Sequence, residues 1–114
     1  MNPGDIYRAD IPEAGEHSIV IVSREELNRG KKVLAALVTS AKFAVRSTFP
    51  NCVVLKAGEF GMIKDCVIQC ETMAPIPKDV IDVDAGPIAT LSDELLRDVI
   101  KAIGYVIDSD CEPN

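Results

Sequence analysis

Lys31-Lys32-Val33-Leu34-Ala35-Ala36-Leu37-Val38-Thr39-Ser40 opens on two cations, runs through six small or aliphatic residues and closes on two hydroxyls. The run is too short to cross a membrane, which takes ~20 apolar residues. Its length and flanks suit a strand buried on both faces, although periodicity alone leaves a short buried helix open. Behind it comes Ala41-Lys42-Phe43-Ala44-Val45-Arg46-Ser47-Thr48-Phe49-Pro50, a loop of cations and aromatics. A rigid strand that ends in hydroxyls beside such a loop is a place to hold a phosphodiester, because chemistry concentrates on loops that a scaffold positions.

Outward from this stretch the chain reads as further short strands. Gly4-Asp5-Ile6-Tyr7-Arg8-Ala9-Asp10-Ile11 alternates apolar and polar residues and predicts a strand with one solvated face. Pro12-Glu13-Ala14-Gly15 is turn chemistry, and His17 to Ser23 is a β-branched second strand. Arg24 to Asn28 reads as one helical turn that Ser23 can cap. Asn51 to Lys56 and Cys66 to Glu71 read as strands on either side of the glycine-bounded loop Ala57-Gly58-Glu59-Phe60-Gly61. In the latter strand Val67, Gln69 and Glu71 share one face while Ile68, Cys70 and Thr72 share the other. Pro75 and Pro77 interrupt pairing, so an edge or a new element follows. Val80, Ile81 and Val83 offer a last short strand, and Phe49 before Pro50 is assigned to core packing.

The C-terminal part is helical. Ser92 is the N-cap, Asp93 and Glu94 complement the positive helix end, and Leu91 staples onto Leu96. Leu95, Leu96, Val99, Ile100, Ile103, Val106 and Ile107 recur at helical spacing as one apolar stripe. Short strands closed by one amphipathic helix predict a mainly β (α+β) fold, a small twisted barrel capped by that helix. Residues 1–108 form the single domain, and the polar tail 109–114 frays.

Composition narrows the function. The absence of a charged-then-apolar start and of a membrane span makes the cytoplasm the expected location. Cys66 and Cys70, four residues apart on a strand, lie ~13 Å apart, beyond the ~7 Å reach of a disulfide. The cysteines are therefore expected to be reduced core residues, and one histidine without a Cys-x-x-Cys pair argues against zinc. A net charge of −6 speaks against nucleic acid at first. Between Arg24 and Lys64, however, eight cations meet three acids, whereas the rest of the chain carries four cations and fifteen acids. That asymmetry permits a basic surface on an acidic protein.

Gly4-Asp5-Ile6-Tyr7, then Ile19-Val20-Ile21-Val22-Ser23, then Leu37-Val38-Thr39-Ser40 resemble the consecutive signatures of the MazF/PemK toxins, endoribonucleases (mRNA interferases) of bacterial toxin–antitoxin modules. Gly61-Met62-Ile63-Lys64-Asp65-Cys66-Val67-Ile68-Gln69-Cys70-Glu71 and Thr90-Leu91-Ser92-Asp93-Glu94-Leu95-Leu96 resemble later segments of the same pattern, so the likeness covers residues 4–107 in order. It implies an SH3-like barrel with a C-terminal helix, a homodimer, and cleavage of single-stranded RNA without metal or other cofactor. It also implies neutralisation by a cognate antitoxin. Thr39 falls at the family's active-site threonine; Glu71 falls where some relatives carry a proposed catalytic base, and Gln69 where those relatives carry arginine. One departure stands out. The loop before the second strand is short, and His17-Ser18 stand where most members have Arg-Pro. Either His17 has assumed the arginine's role or cleavage is weakened, leaving an RNA- or protein-binding module. A gyrase-poisoning toxin of the same fold works through a tryptophan-bearing C-terminal helix, and this chain has no tryptophan.

Metal-free RNA cleavage has the 2′-hydroxyl attack the adjacent phosphorus. It needs a proton acceptor, a proton donor for the leaving 5′-oxygen and donors to the charged phosphate. The catalytic candidates are Thr39, His17 and Glu71. Histidine titrates near working pH as a residue type, and Glu71 serves as base only if burial favours its protonated form. Ser40, Lys42, Phe43, Arg46 and Gln69 are the candidates for holding RNA, the aromatic by stacking on a base at ~1–3 kcal/mol.

Overall fold

In the computed structural model, which describes residues 1–108, the Lys31–Ser40 stretch is a strand and its neighbours are strands too. The elements are β1 (Asp5–Ile11), β2 (Gly15–Ile21), β3 (Lys32–Thr39), the single turn α1 (Phe43–Arg46), β4 (Cys52–Leu55), β5 (Cys66–Pro77), β6 (Ala89–Thr90) and α2 (Asp93–Ile107). The tail 109–114, with Cys111, lies outside the described residues. The strands form one antiparallel sheet in the order β4-β5-β3-β2-β1-β6. The sheet curls into a half-barrel, and α2 closes it by packing on β4 and β5.

β3 is buried on both sides because successive side chains of a strand point to opposite faces. Val33 and Ala35 enter one core with Tyr7, Ile19, Ile21 and Ile76. Ala36 and Val38 enter the other with Ile6, Val20, Ile68, Cys70 and the helix residues Val99 and Ala102. β2 divides in the same way, Ile19 and Ile21 against Val20.

The curl comes from β5. Its first half pairs with the end of β3 (Val67 with Thr39, Gln69 with Leu37) and its second half with the start of β3 (Ala74 with Ala35, Pro77 with Lys32). Residues 70–73 stand opposite Ala36 alone, so the strand turns a corner there. The corner would orphan the Leu37 N–H, but the Thr72 hydroxyl accepts from it at 2.9 Å and donates to the Gln69 carbonyl at 2.6 Å. Beyond the corner β4 no longer flanks β5. Pro75 and Pro77 therefore continue the pairing with β3 on an open edge, where a missing N–H costs nothing.

Several local expectations are corrected. Ser23 does not cap the turn at Glu25–Leu27, which has no side-chain cap. Its hydroxyl donates to the Asn28 side chain and accepts from Leu34 N–H. Asn28 is buried and donates in turn to the Met1 and Ser23 carbonyls. Residues 78–80 form a 3-10 turn and Ile81 makes a lone bridge to Ala9; the last strand is β6. In β1 both Ile6 and Tyr7 are buried, and one face is solvated only from Arg8 onward. Phe49 is 43% exposed and outside the core. Ser92 caps α2 as expected, accepting from Leu95 N–H. The helix stripe is narrower than expected: Val99 and Ala102 are buried, while Ile100 is 60% and Ile107 72% exposed.

Cys66 and Cys70 are buried and Cys52 half-buried, all three free thiols. Burial pushes the Cys70 thiol up to about 12, with nearby Cys52 and Glu71 adding to the effect. The Cys52 and Cys66 thiols and the Tyr7 phenol are also raised, burial being the largest cause in each. These groups ionise more easily in the unfolded chain. Stability should be whole below the ordinary thiol value of 9.0 and fall as pH rises from there toward the folded values. Urea midpoints measured from pH 8 to pH 11 should decline progressively; a flat profile would show that the thiols are solvated. Thr72→Val should lower stability by about 1–3 kcal/mol by leaving the Leu37 N–H unpaired, while Thr72→Ser keeps most of it.

Candidate nucleic-acid interface

Ser18 of β2 lies opposite Val38 of β3, so the start of β2 and the end of β3 meet at one end of the sheet. An open cleft of about 470 Å³ forms there. Its polar wall is Arg8, Glu16, His17, Ser18, Thr39, Ser40 and Lys64; Met62, Ile63 and Ile88 form the apolar side. The loop that carries Lys64 is tied across itself: Gly58 N–H donates to Met62 O at 2.7 Å and Ala57 N–H to the Asp65 carboxylate at 2.8 Å. Gly61 in this loop has φ +77°, and a Cβ there would run into the Ile88 side chain. That close approach fixes the rim of the cleft.

Thr39 ends β3 with its hydroxyl oxygen accepting from Ala41 N–H at 3.1 Å. The hydroxyl proton is left free to donate, as a phosphate oxygen requires. The His17 ring is held by two carbonyls, Nδ1 lying 3.3 Å from Val38 O and Nε2 3.1 Å from Ala14 O. Only a ring carrying both protons can donate to both oxygens. A neutral ring serves one and leaves the other nitrogen as an acceptor.

The other candidates are elsewhere. Glu71 is exposed and outside the cleft, accepting from Asn51 Nδ2 at 2.8 Å and from Gln69 Nε2 at 3.4 Å. Gln69 lies between Leu37 of β3 and Cys52 of β4. After burial, the Glu71 charge raises the Cys52 thiol and Arg46 lowers it, which places Arg46, Cys52 and Glu71 in one neighbourhood. Lys42, with φ +54°, and Phe43 begin the turn α1, and Arg46 donates to Ala41 O at 3.1 Å. The fold thus brings together His17, Thr39 and Ser40 in the cleft, and separately Arg46, Gln69 and Glu71 beside β4.

Arg8, Glu16 and Lys64 are cleft residues that sequence reasoning did not single out. The signal for Arg8 was available: the Pro12–Gly15 turn sets a hairpin in which Ala9 faces His17 and Arg8 faces Ser18. Lys64 carried no such signal, because its approach depends on a loop rather than a register. Among the described residues no group of three or more His, Cys, Asp or Glu side chains is placed to hold a metal ion, and no helix is long and apolar enough to cross a membrane.

Comparison with known proteins supplies the lineage. No protein of curated function matches the chain significantly. Among solved structures, an endoribonuclease in complex with its cognate antitoxin from a mycobacterial species superposes with a TM-score of 0.76 at 18% identity, covering 94% of each chain. The Mycobacterium tuberculosis toxin MazF-mt6 gives 0.76 at 20% identity over 91% of this chain and 96% of that one. A MazE–MazF structure from Deinococcus radiodurans gives 0.74 at 15% identity over 95% of each chain. These likenesses establish the fold. The family profile described as PemK-like, MazF-like toxin of type II toxin–antitoxin system matches residues 2–107. The half-barrel with its end cleft therefore belongs to the PemK-like, MazF-like toxin family.

Proposed function

We propose that this protein is an endoribonuclease toxin that cuts single-stranded RNA in the cleft between β2 and β3, without metal, and is neutralised by a cognate antitoxin. The observation that supports the reading is the meeting of a free hydroxyl donor (Thr39), a second hydroxyl (Ser40), an imidazole (His17) and the Lys64 cation in one open hollow. In this reading the Thr39 and Ser40 hydroxyls donate to the non-bridging phosphate oxygens. His17, with its Nδ1 proton held by Val38 O, takes the 2′-hydroxyl proton on Nε2 once bound RNA displaces that nitrogen from the Ala14 carbonyl. A water on the far side of phosphorus protonates the leaving 5′-oxygen and recovers the proton from His17. A cyclic phosphate and a 5′-hydroxyl result. Glu71 and Gln69, bonded to each other outside the cleft, serve the flanking strand together with Arg46, Lys42 and Phe43. The working unit is a homodimer.

A second reading, a binding module without cleavage, draws support from the same cleft. Both His17 nitrogens face backbone carbonyls, and the cations Arg8 and Lys64 are offset by Glu16. Mixed-sequence RNA incubated with purified protein in EDTA separates the two. Cleavage should occur, fall about 10²–10³-fold in Thr39→Ala and about 10²–10⁴-fold in His17→Ala. Well-folded protein that binds RNA and leaves it whole would overturn the nuclease reading in favour of the module.

Salt dependence reports the extent of the interface. Engagement of the two cleft cations alone predicts a slope of about −1.4 for log K against log salt on a single strand. Engagement of Lys42 and Arg46 as well predicts about −2.8. Titration of a single-stranded oligonucleotide at several salt concentrations should give the steeper value, and the shallower one would confine RNA to the cleft.

A further inference from the structure

Arg8 stands on the cleft wall opposite Ser18 and next to Ala9, the cross-strand partner of His17. Its Nη2 lies 3.8 Å from Glu16 Oε2, and the two side chains are 59% and 75% exposed. Charge-assisted hydrogen bonds close to ~2.7–2.9 Å, so this pair is a loose ionic contact that an incoming anion can replace. Behind Arg8 lies a second hollow lined by Asp10, Asp79 and Asp82. The guanidinium therefore sits at the boundary between a carboxylate-rich surface and the cleft with the hydroxyls.

We propose that Arg8 is a phosphate-binding residue of the cleft, and that Glu16 holds its guanidinium in the absence of RNA. A phosphate oxygen takes the place of the Glu16 carboxylate when RNA enters. The proposal rests on the reading of the cleft as an RNA site. Three features support it. The planar fork of arginine can donate two hydrogen bonds to two oxygens of a phosphate, more than its single 3.8 Å contact with Glu16 supplies. The exposed ion pair contributes little by itself, so releasing it costs little. Lys64 approaches from the loop before β5 while Arg8 comes from β1, and cations from two separate elements of the fold can hold one phosphodiester in a fixed orientation. Glu16 then also acts as a selective filter, since ligands too weakly anionic to replace it do not gain the arginine.

Binding of a mixed-sequence 2′-O-methyl RNA strand, which lacks the attacking hydroxyl, tests this with wild type, Arg8→Ala, Glu16→Gln and the double variant. Both substituted positions are solvent-facing, and thermal unfolding checks that each variant is folded. Arg8→Ala should weaken binding about ten- to a hundredfold and lower the salt slope by about 0.7. Glu16→Gln should tighten it about two- to fivefold, and that gain should vanish in the Arg8→Ala background. Unchanged binding in Arg8→Ala overturns the proposal. So does a Glu16→Gln gain that persists without Arg8, which would mark plain removal of a repulsive charge. Wild type that neither binds the strand nor cuts RNA overturns the nuclease and binding readings alike. RNA cutting that survives intact in Arg8→Ala overturns the role of Arg8 alone.

Discussion

The fold depends on one strand being enclosed on both faces without leaving any of its backbone unpaired. Ala35 and Ala36 of β3 enter cores on opposite faces of the sheet, the second of them covered by α2, so an orphan N–H is costly there. A flat partner strand would satisfy the pairing and prevent the curl. β5 resolves the conflict by turning a corner opposite Ala36, and the Thr72 hydroxyl takes the single hydrogen bond that the corner breaks. The alanines at 35 and 36 belong to the same solution, since small side chains let the two cores approach the strand closely.

The site follows from that arrangement. β3 is buried most deeply in its middle, at Ala35 and Ala36, and opens toward its end, where Leu37 and Thr39 are half-buried and the strand stops. Pairing of β2 with β3 in the register Ser18 to Val38 then delivers His17 to the same end. The groups in the cleft come from strand termini fixed by backbone hydrogen bonds and from one loop tied across itself. Such a frame holds donors in position before a substrate arrives, which is the arrangement that stabilises developing charge at least reorganisation cost.

Much of this was legible because it rests on local patterns. The buried run of β3, the β-branched β2, the Ser92 cap and the terminal helix each carry a periodic or capping signal in a few residues. The ordered likeness to the toxin family pointed to the end of β3. What escaped depended on long-range pairing. Pro75 and Pro77 look like strand breakers until β4 is known to end short of them. Val80, Ile81 and Val83 look like a strand, but β6 takes the edge of β1 instead. Ser23 looks like a cap until Asn28 folds back to meet it. Likeness to the family points Glu71 to the centre, whereas in the corner of β5 it bonds with Asn51 and Gln69 on the β4 side.

Charge bears on the proposed RNA site, because the chain as a whole is acidic. At physiological salt a charge is felt over ~8 Å, so the net −6 of the whole molecule matters less than the groups within one such length of the phosphate. Arg8 and Lys64 lie within the cleft, but Glu16 lies there too, and the local balance is only slightly positive. Long-range steering is therefore weak, and in the proposed RNA reading recognition rests on short-range contacts: hydroxyl donors, the Arg8 guanidinium and apolar surface. Ile63, 91% exposed on the rim of the cleft, is such a surface, and in the proposed reading it is available to an RNA base. A site of this kind gains selectivity from fit, since an anion that does not also occupy the hydroxyls and the apolar rim finds little field to hold it.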